Sequence, residues 1–255
     1  MSASTTFVNH CGAEVVTYDD LKALPAPIPR SKVHAPVPHH EFVDKLHSVL
    51  SENGWSVRRE KFSVSKDTNR LFGVMDLDRE SGGFQIPGIG TSLGLRQSNG
   101  GDMSAQIVAG GQVFVCDNLA MKGDEVILKV PHLVDHPILP AIEDAIDLLG
   151  PQQKDLELTI EKAIETNLTP YQAKSLFWDL FARHQTIPTR FAAQADRIYF
   201  DPEAAEAPEV IEWRDSLWGW HNALTRTVRD LPTRQKLNYG QRLGKVLERT
   251  LVALS

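Results

Sequence analysis

The stretch 91-TSLGLRQSNGGDMSAQIVAGGQVFVCDNLAM-121 decides the fold. Apolar segments in it are separated by Gly-rich and small polar residues. Met103, Ala105, Ile107 and Ala109 alternate with Ser104, Gln106 and Val108, a period of two that belongs to strands. Gly110-Gly111 reads as a turn, with Val113 to Cys116 running back as the second arm of a tight hairpin. Arg96, Gln97, Ser98, Asn99, Asp102 and Ser104 fall at the strand ends, and Asp117-Asn118 closes the returning strand. Polar side chains therefore converge where the apolar pattern stops.

Working upstream, Trp55 and Val57, then Phe62 and Val64, form two alternating sets whose parity changes across Arg58 to Lys61, which predicts a bulge. Leu71 to Leu77 returns as a strand after the turn 66-KDTNR-70, and Ser81-Gly82-Gly83 introduces another, interrupted near Pro87-Gly88. With Glu125 to Val130, about five to seven mostly antiparallel strands are expected. Ahead of them, Phe42, Val43, Leu46, Val49 and Leu50 share one helical face over 39–53, and Gly54 supplies the stop. Residues 1–38 carry five of the 15 prolines and no sustained periodicity, so an extended arm packed along the body is expected.

Working downstream, Pro131, Pro137 and Pro140 end the sheet, and the 3.6-residue period takes over. Ala141 to Leu149 is expected to stop at Gly150, and Leu156 to Ile164 forms a mixed face. Thr169-Pro170 opens a helix as N-cap and first turn, followed by Ala173, Leu176, Phe177, Leu180 and Phe181. Trp213, Leu217, Trp220, Leu224 and Val228 mark another helix as one buried stripe, and a last helix starts near Arg234. The fold class is thus α+β: arm 1–38, helix plus antiparallel sheet 39–137, and a helical half 138–255 packed on the sheet.

A chain of 255 residues with 42% hydrophobic content can bury an ordinary core. No apolar run approaches the about 18 to 20 residues that cross a bilayer, so a cytoplasmic protein with no membrane partner is expected. Cys11 and Cys116 suggest neither a disulfide framework nor a zinc cluster, and Cys116 reads as a buried structural thiol. The net charge of −6 argues against a surface that coats nucleic acid all round. Locally, seven basic residues face two acidic ones over 224–250, and seven acidic residues face two basic ones over 141–168. Runs of this kind commonly form solvated helix faces.

Candidate chemistry is sparse. His34, His39 and His40 cluster, and His132 and His136 stand four apart, yet Pro131 and Pro137 flank that pair and no HExxH pattern accompanies it. Neither a metal nor a cofactor is expected, no phosphate-loop pattern is present, and Ser98 and Ser104 have no histidine nearby in sequence. For Arg96 to Ser104 the residues allow two readings: a binding site, or a structured loop in which Asn, Asp and Ser bond backbone groups and Arg96 cross-links them.

The stretches GLRQSNGGDMS, AGGQVFVCDNL and LWGWHNALT, in this order and separation, resemble a conserved phage- and plasmid-associated family of unknown function. That family shows a Leu-Arg-Asn-Ser-like turn, a Gly-x-x-Val-Phe-Val-Cys-x-Asn strand and a late Trp-x-x-x-Asn helix. The match covers roughly residues 25 to 250, with Gln97 standing where the family more often has Asn. It implies a mobile-element protein and no known reaction.

A helix ending in Asn53-Gly54-Trp55, then a bulged strand, a polar turn and further antiparallel strands, is similar in layout to single-strand annealing proteins of recombination. Those proteins form rings and lay the backbone of the strand in a basic groove beside the sheet. The resemblance implies a homo-oligomer whose partner is single-stranded DNA, with Arg58, Arg59, Lys61 and Arg96 as phosphate contacts. Arg58 and Arg59 are expected to be solvent-exposed and replaceable without loss of stability.

Three readings follow. The first is a non-enzymatic nucleic-acid-binding protein of a phage or plasmid, acting in replication, recombination or protection of its DNA. The second is an interaction module that antagonises a host factor through the acidic stretch 141–168. The third is a metal-dependent nuclease or hydrolase with carboxylates around Asp102 and Asp117.

Overall fold

A computed structural model describes residues 14–79, 86, 89–113, 118–120, 126–184, 186–229, 231 and 233–254. The change of period expected near Pro140 is realised as an α+β fold with a helical C-terminal half. Strands β1 (Glu14–Val16), β2 (Trp55–Val64), β3 (Arg70–Arg79), β4 (Ile89–Ser98), β5 (Ala105–Val113) and β6 (Asn118–Ala120) follow one another in spatial order, and β7 (Val126–Val130) pairs with β5. Every pairing among them is antiparallel.

One face of this sheet is apolar. Phe62, Leu71, Met75, Leu77, Leu93, Leu95, Ile107 and Leu128 pack there with Phe42, Leu46 and Leu50 of α2 (His39–Glu52) and Ile142 and Ile146 of α3 (Ile138–Asp147). The 3.6-residue spacing of the α2 residues places all three on the stripe that meets the sheet, and the helix ends at Gly54 as expected.

A second core holds the helical half: α4 (Leu149–Glu165), α5 (Pro170–Trp178), α6 (Ala192–Phe200), α7 (Pro208–Glu212), α8 (Leu217–Val228) and α9 (Thr233–Leu254). Contacts of α4 with β5, and of α8 and α9 with β6, fix this half against the sheet. Helix α8 is its centre, with Leu217, Trp218, Trp220, Ala223 and Leu224 at 0% exposure. The expected burial of Trp213, Trp220 and Leu224 holds, at 9%, 0% and 0%.

Several expectations are corrected. Gly110-Gly111 does not turn the chain: both lie inside β5, opposite Ser92 and Thr91, and the hairpin turns instead at 99–102. Glycine breaks strands by propensity, but here the ladder to β4, and at Gly111 also to β6, overrides it. Residues 14–23 are not arm, because β1 pairs with the end of β2 and α1 (Tyr18–Ala23) follows a Thr17 capping box. Gly150 does not end a helix: it lies in the first turn of α4, where glycine and Pro151 cost little because those amide groups lack intrahelical partners anyway. Trp213 lies between α7 and α8 rather than on α8. The expectations for Cys11, Cys116, Asp117 and the 81–83 strand start fall outside the described residues.

Candidate nucleic-acid interface

Side chains at paired positions of neighbouring strands share a face. The ladder therefore groups the polar residues of the sheet's other face into rows. Arg59, Asp76, Ser92 and Gly110 form one row, and Lys61, Val74, Gly94 and Val108 form the next. Ser63, Phe72, Arg96, Gln106 and Lys129 form a third. Three of the four residues expected as phosphate contacts, Arg59, Lys61 and Arg96, thus stand on one face. The fourth, Arg58, is the extra residue of a bulge between Val57 and Arg59, as the parity change indicates.

Cations on this face are engaged in internal pairing. Arg59 Nε donates to Asp76 Oδ2 at 2.7 Å, and Ser92 Oγ donates to the other oxygen of that carboxylate at 2.8 Å. Asp76 is 2% exposed, so Arg59 and Ser92 satisfy a charge that water does not reach. The expectation that Arg59 is a freely replaceable surface residue is corrected: its side chain is about a third exposed and neutralises a buried carboxylate. Arg58 is about as open to solvent, and lies 4.0 Å from Asp78, whose carboxylate, unlike that of Asp76, is itself exposed. Beside the bulge runs an open groove of about 430 Å³, walled by Trp55, Arg58, Arg59, His47 and Glu60. Arg79 stacks its guanidinium 4.8 Å from the centroid of Trp55.

The polar turn at the other end of the hairpin is a structured loop in which Arg70, and not Arg96 as the sequence suggested, supplies the cross-link to Asp102. Ser98 Oγ donates to Asp102 Oδ1, Arg70 Nε donates to Asp102 Oδ2 at 2.9 Å, and Gly100 N donates to Ser98 Oγ at 3.2 Å. The Ser98 hydrogen bond, helped by Arg70, holds the Asp102 carboxyl below its ordinary range. Asn99 N donates to Asn69 O at 2.8 Å, while its Oδ1 accepts from Val37 N at 3.1 Å. Ser104 sits half-buried one residue ahead of β5. Asp102 is therefore tied into a cross-linked turn on which the proline arm docks. Asn118 opens β6, opposite Val113.

Histidines line that docking seam. His39 Nε2 donates to Thr68 O at 3.0 Å and its Nδ1 accepts from Gln97 Nε2 at 2.7 Å, which defines a neutral ring. Burial pushes His39 down to about 4, and burial together with His34 does the same for His132. The rings of His34 and His132 stand 6.4 Å apart. Sequence spacing separates these two residues; the arm strand at His34, bridged to Leu133, brings them together. Among the described residues, no group of three or more His, Cys, Asp or Glu side chains could hold a metal ion.

Sequence reasoning passes over Trp178 and Tyr171, which α5 turns to solvent at 70% and 84% exposure. The LWGWHNALT motif, in contrast, is interior, with Trp218 stacked on the buried His221 at a 5.2 Å centroid distance.

A bulged antiparallel sheet, apolar toward α2 and α3 and carrying Arg59, Lys61 and Arg96 in successive rows of its other face, with a proline arm clasped to its hairpin turn, defines a protein of the α+β class. The chain belongs to the DUF932 family, a domain of unknown function, which it matches over residues 29–242. The resemblance to a conserved family of unknown function is thereby borne out. No curated protein and no solved structure matches the chain. Among the described residues no helix is long and apolar enough to cross a membrane.

Proposed function

We propose that this protein binds single-stranded nucleic acid, with the sugar-phosphate backbone lying along the polar face of the sheet, and serves a mobile genetic element in replication, recombination or protection of its DNA. One observation carries the reading: Arg59, Lys61 and Arg96 occupy three successive rows of a single face, with Arg58 projected at its bulged edge. Cationic side chains spaced along neighbouring strands follow a phosphate chain better than a compact ligand, and such contacts supply most sequence-independent affinity. Asp76 tempers Arg59, and Arg58 faces Asp78 at 4.0 Å, so phosphate contact at these positions competes with internal ion pairing. The nuclease reading loses support at Asp102, whose two carboxylate oxygens accept from Ser98 and Arg70.

The test is a titration of a labelled oligo(dT) strand at rising salt. Affinity is expected to fall with a log-log slope of about −0.7 per phosphate neutralised, and Arg58→Gln and Lys61→Gln should each make the slope shallower by about that amount. No binding at low salt, where electrostatic affinity is greatest, would overturn the proposal.

A further inference from the structure

Helix α5 carries large aromatic side chains on its outer side as well as on its core side. Its inward stripe is sufficient for the core: Ala173, Phe177, Leu180 and Phe181 are all buried, with Phe177 packed on Trp220 at a 5.3 Å centroid distance. Facing outward at the complementary positions are Tyr171, Lys174 and Trp178, three and four residues apart and so in one line along the helix. Of the five tryptophans in the chain, the other four are at most 9% exposed, whereas Trp178 is 70% exposed. An indole this exposed, on a helix whose core contact is complete, is available for a contact outside the chain.

The chemistry of the line specifies the cover. The exposed apolar residues on α5 are both aromatic, so the surface offers π faces instead of an aliphatic groove. Lys174 lies between them, its Nζ 5.2 Å from the ring centroid of Phe200, and Arg183, 69% exposed at its side chain, extends the line past Trp178. Against these two cations stands Asp179, which lies 3.6 Å from Arg183. The helix passes at Asp179–Arg183 into a π-turn, which widens the spiral just beyond Trp178. Aromatic faces interleaved with cations match unstacked bases joined by phosphates. Seven residues of helix put Tyr171 and Trp178 about 10.5 Å apart along the axis. That is about three base steps at roughly 3.4 Å each.

We propose that Tyr171 and Trp178 form a base-stacking platform for a single nucleic-acid strand, with Lys174 and Arg183 taking the phosphates between and beyond the stacked bases. This inference rests on the single-strand reading above and adds to it a second contact surface, on the helical half.

Because Trp178 is the one exposed tryptophan, the full-length protein reports on itself. Adding oligo(dT) at low salt should quench tryptophan emission, and Trp178→Phe should remove most of that quenching while retaining a stacking ring and most of the affinity. Trp178→Ala and Tyr171→Ala should each weaken binding roughly five- to a hundredfold, with the thermal midpoint and far-UV dichroism unchanged because both side chains lie in solvent. An abasic strand of the same length should bind wild type and Trp178→Ala alike. Unchanged affinity of the Tyr171→Ala, Trp178→Ala double variant would overturn the platform while leaving sheet-face binding intact. So would an equal loss on the abasic strand, or a change in sedimentation of the double variant without a change in affinity, which would mark a protein-protein surface. Failure of the wild type to bind any strand would overturn both proposals together.

Discussion

Arg59 Nε donates to Asp76 Oδ2 at 2.7 Å across the β2–β3 ladder, and the carboxylate it holds is 2% exposed. A charge of that kind is stable only while its donors remain. Arg59→Ala should therefore lower stability by about 1 to 3 kcal/mol, less than for a wholly buried pair because the guanidinium is partly solvated. Arg58→Ala, at the bulge, should cost under about 0.5 kcal/mol. Urea midpoints of the two variants measure the difference, and equal values would show that Arg59 contributes only surface charge.

Acid should loosen the protein in a defined window. His39, His132 and His221 all have pKa values held near 4 by burial, with His34 adding to the effect at His132. Each lies below the ordinary value of 6.5, so the unfolded chain takes up protons first as pH falls. The stability these rings contribute is whole above about pH 6.5 and is lost as the pH drops through about 6 and 5 toward 4, each ring giving up at most about 1.4 kcal/mol for every pH step of one. Asp67, held near 2 by Asn69 and Ser65, titrates below that window. Denaturant midpoints at about pH 7, 5.5 and 4.5 should fall in that order, and a level profile would contradict the neutral assignment of the rings.

Thr68 holds φ at +55°, a conformation costly for a β-branched residue, and its carbonyl oxygen is the one His39 engages. Thr68→Gly relieves the strain while keeping that carbonyl, so a gain of about 0.5 to 1 kcal/mol is expected, reduced by the freedom glycine gives the unfolded chain. His39→Leu removes the donor to Thr68 and the acceptor for Gln97 together, and should cost about 2 to 4 kcal/mol. Thermal melts of both variants should shift in opposite directions.

At the start of α8, a Cβ on Gly219 would lie 2.2 Å from the Trp213 carbonyl oxygen. Backbone cannot yield as a flexible side chain does, so Gly219→Ala should cost about 3 kcal/mol or more and lower soluble yield. Trp220→Ala, at 0% exposure, should cost about 3 to 5 kcal/mol through the cavity left beside Phe177. A Gly219→Ala protein with an unchanged midpoint would mean that α8 shifts away from Trp213.

Much of the fold is written in local pattern. The period of two over β2, β3 and β5, the bulge at Arg58, the stripe of α2 and the Thr169 capping box are legible in the sequence because each depends on residues within a few positions of one another. The same locality explains why Arg58, Arg59 and Lys61 could be nominated together. Only the tertiary structure decided the rest. Gly110-Gly111 reads as a turn until two neighbouring strands pair across it, and Asn99 to Asp102 becomes the turn because Arg70, Asn69 and Val37, distant in sequence, saturate its polar atoms. Arg59 changed from a surface cation to the partner of a buried carboxylate because strand pairing placed Asp76 and Ser92 beside it. Trp178 differs from Trp220 in nothing that composition records; which indole meets solvent was decided by the side of α5 that faces the core, a matter of long-range packing and not of spacing along the chain.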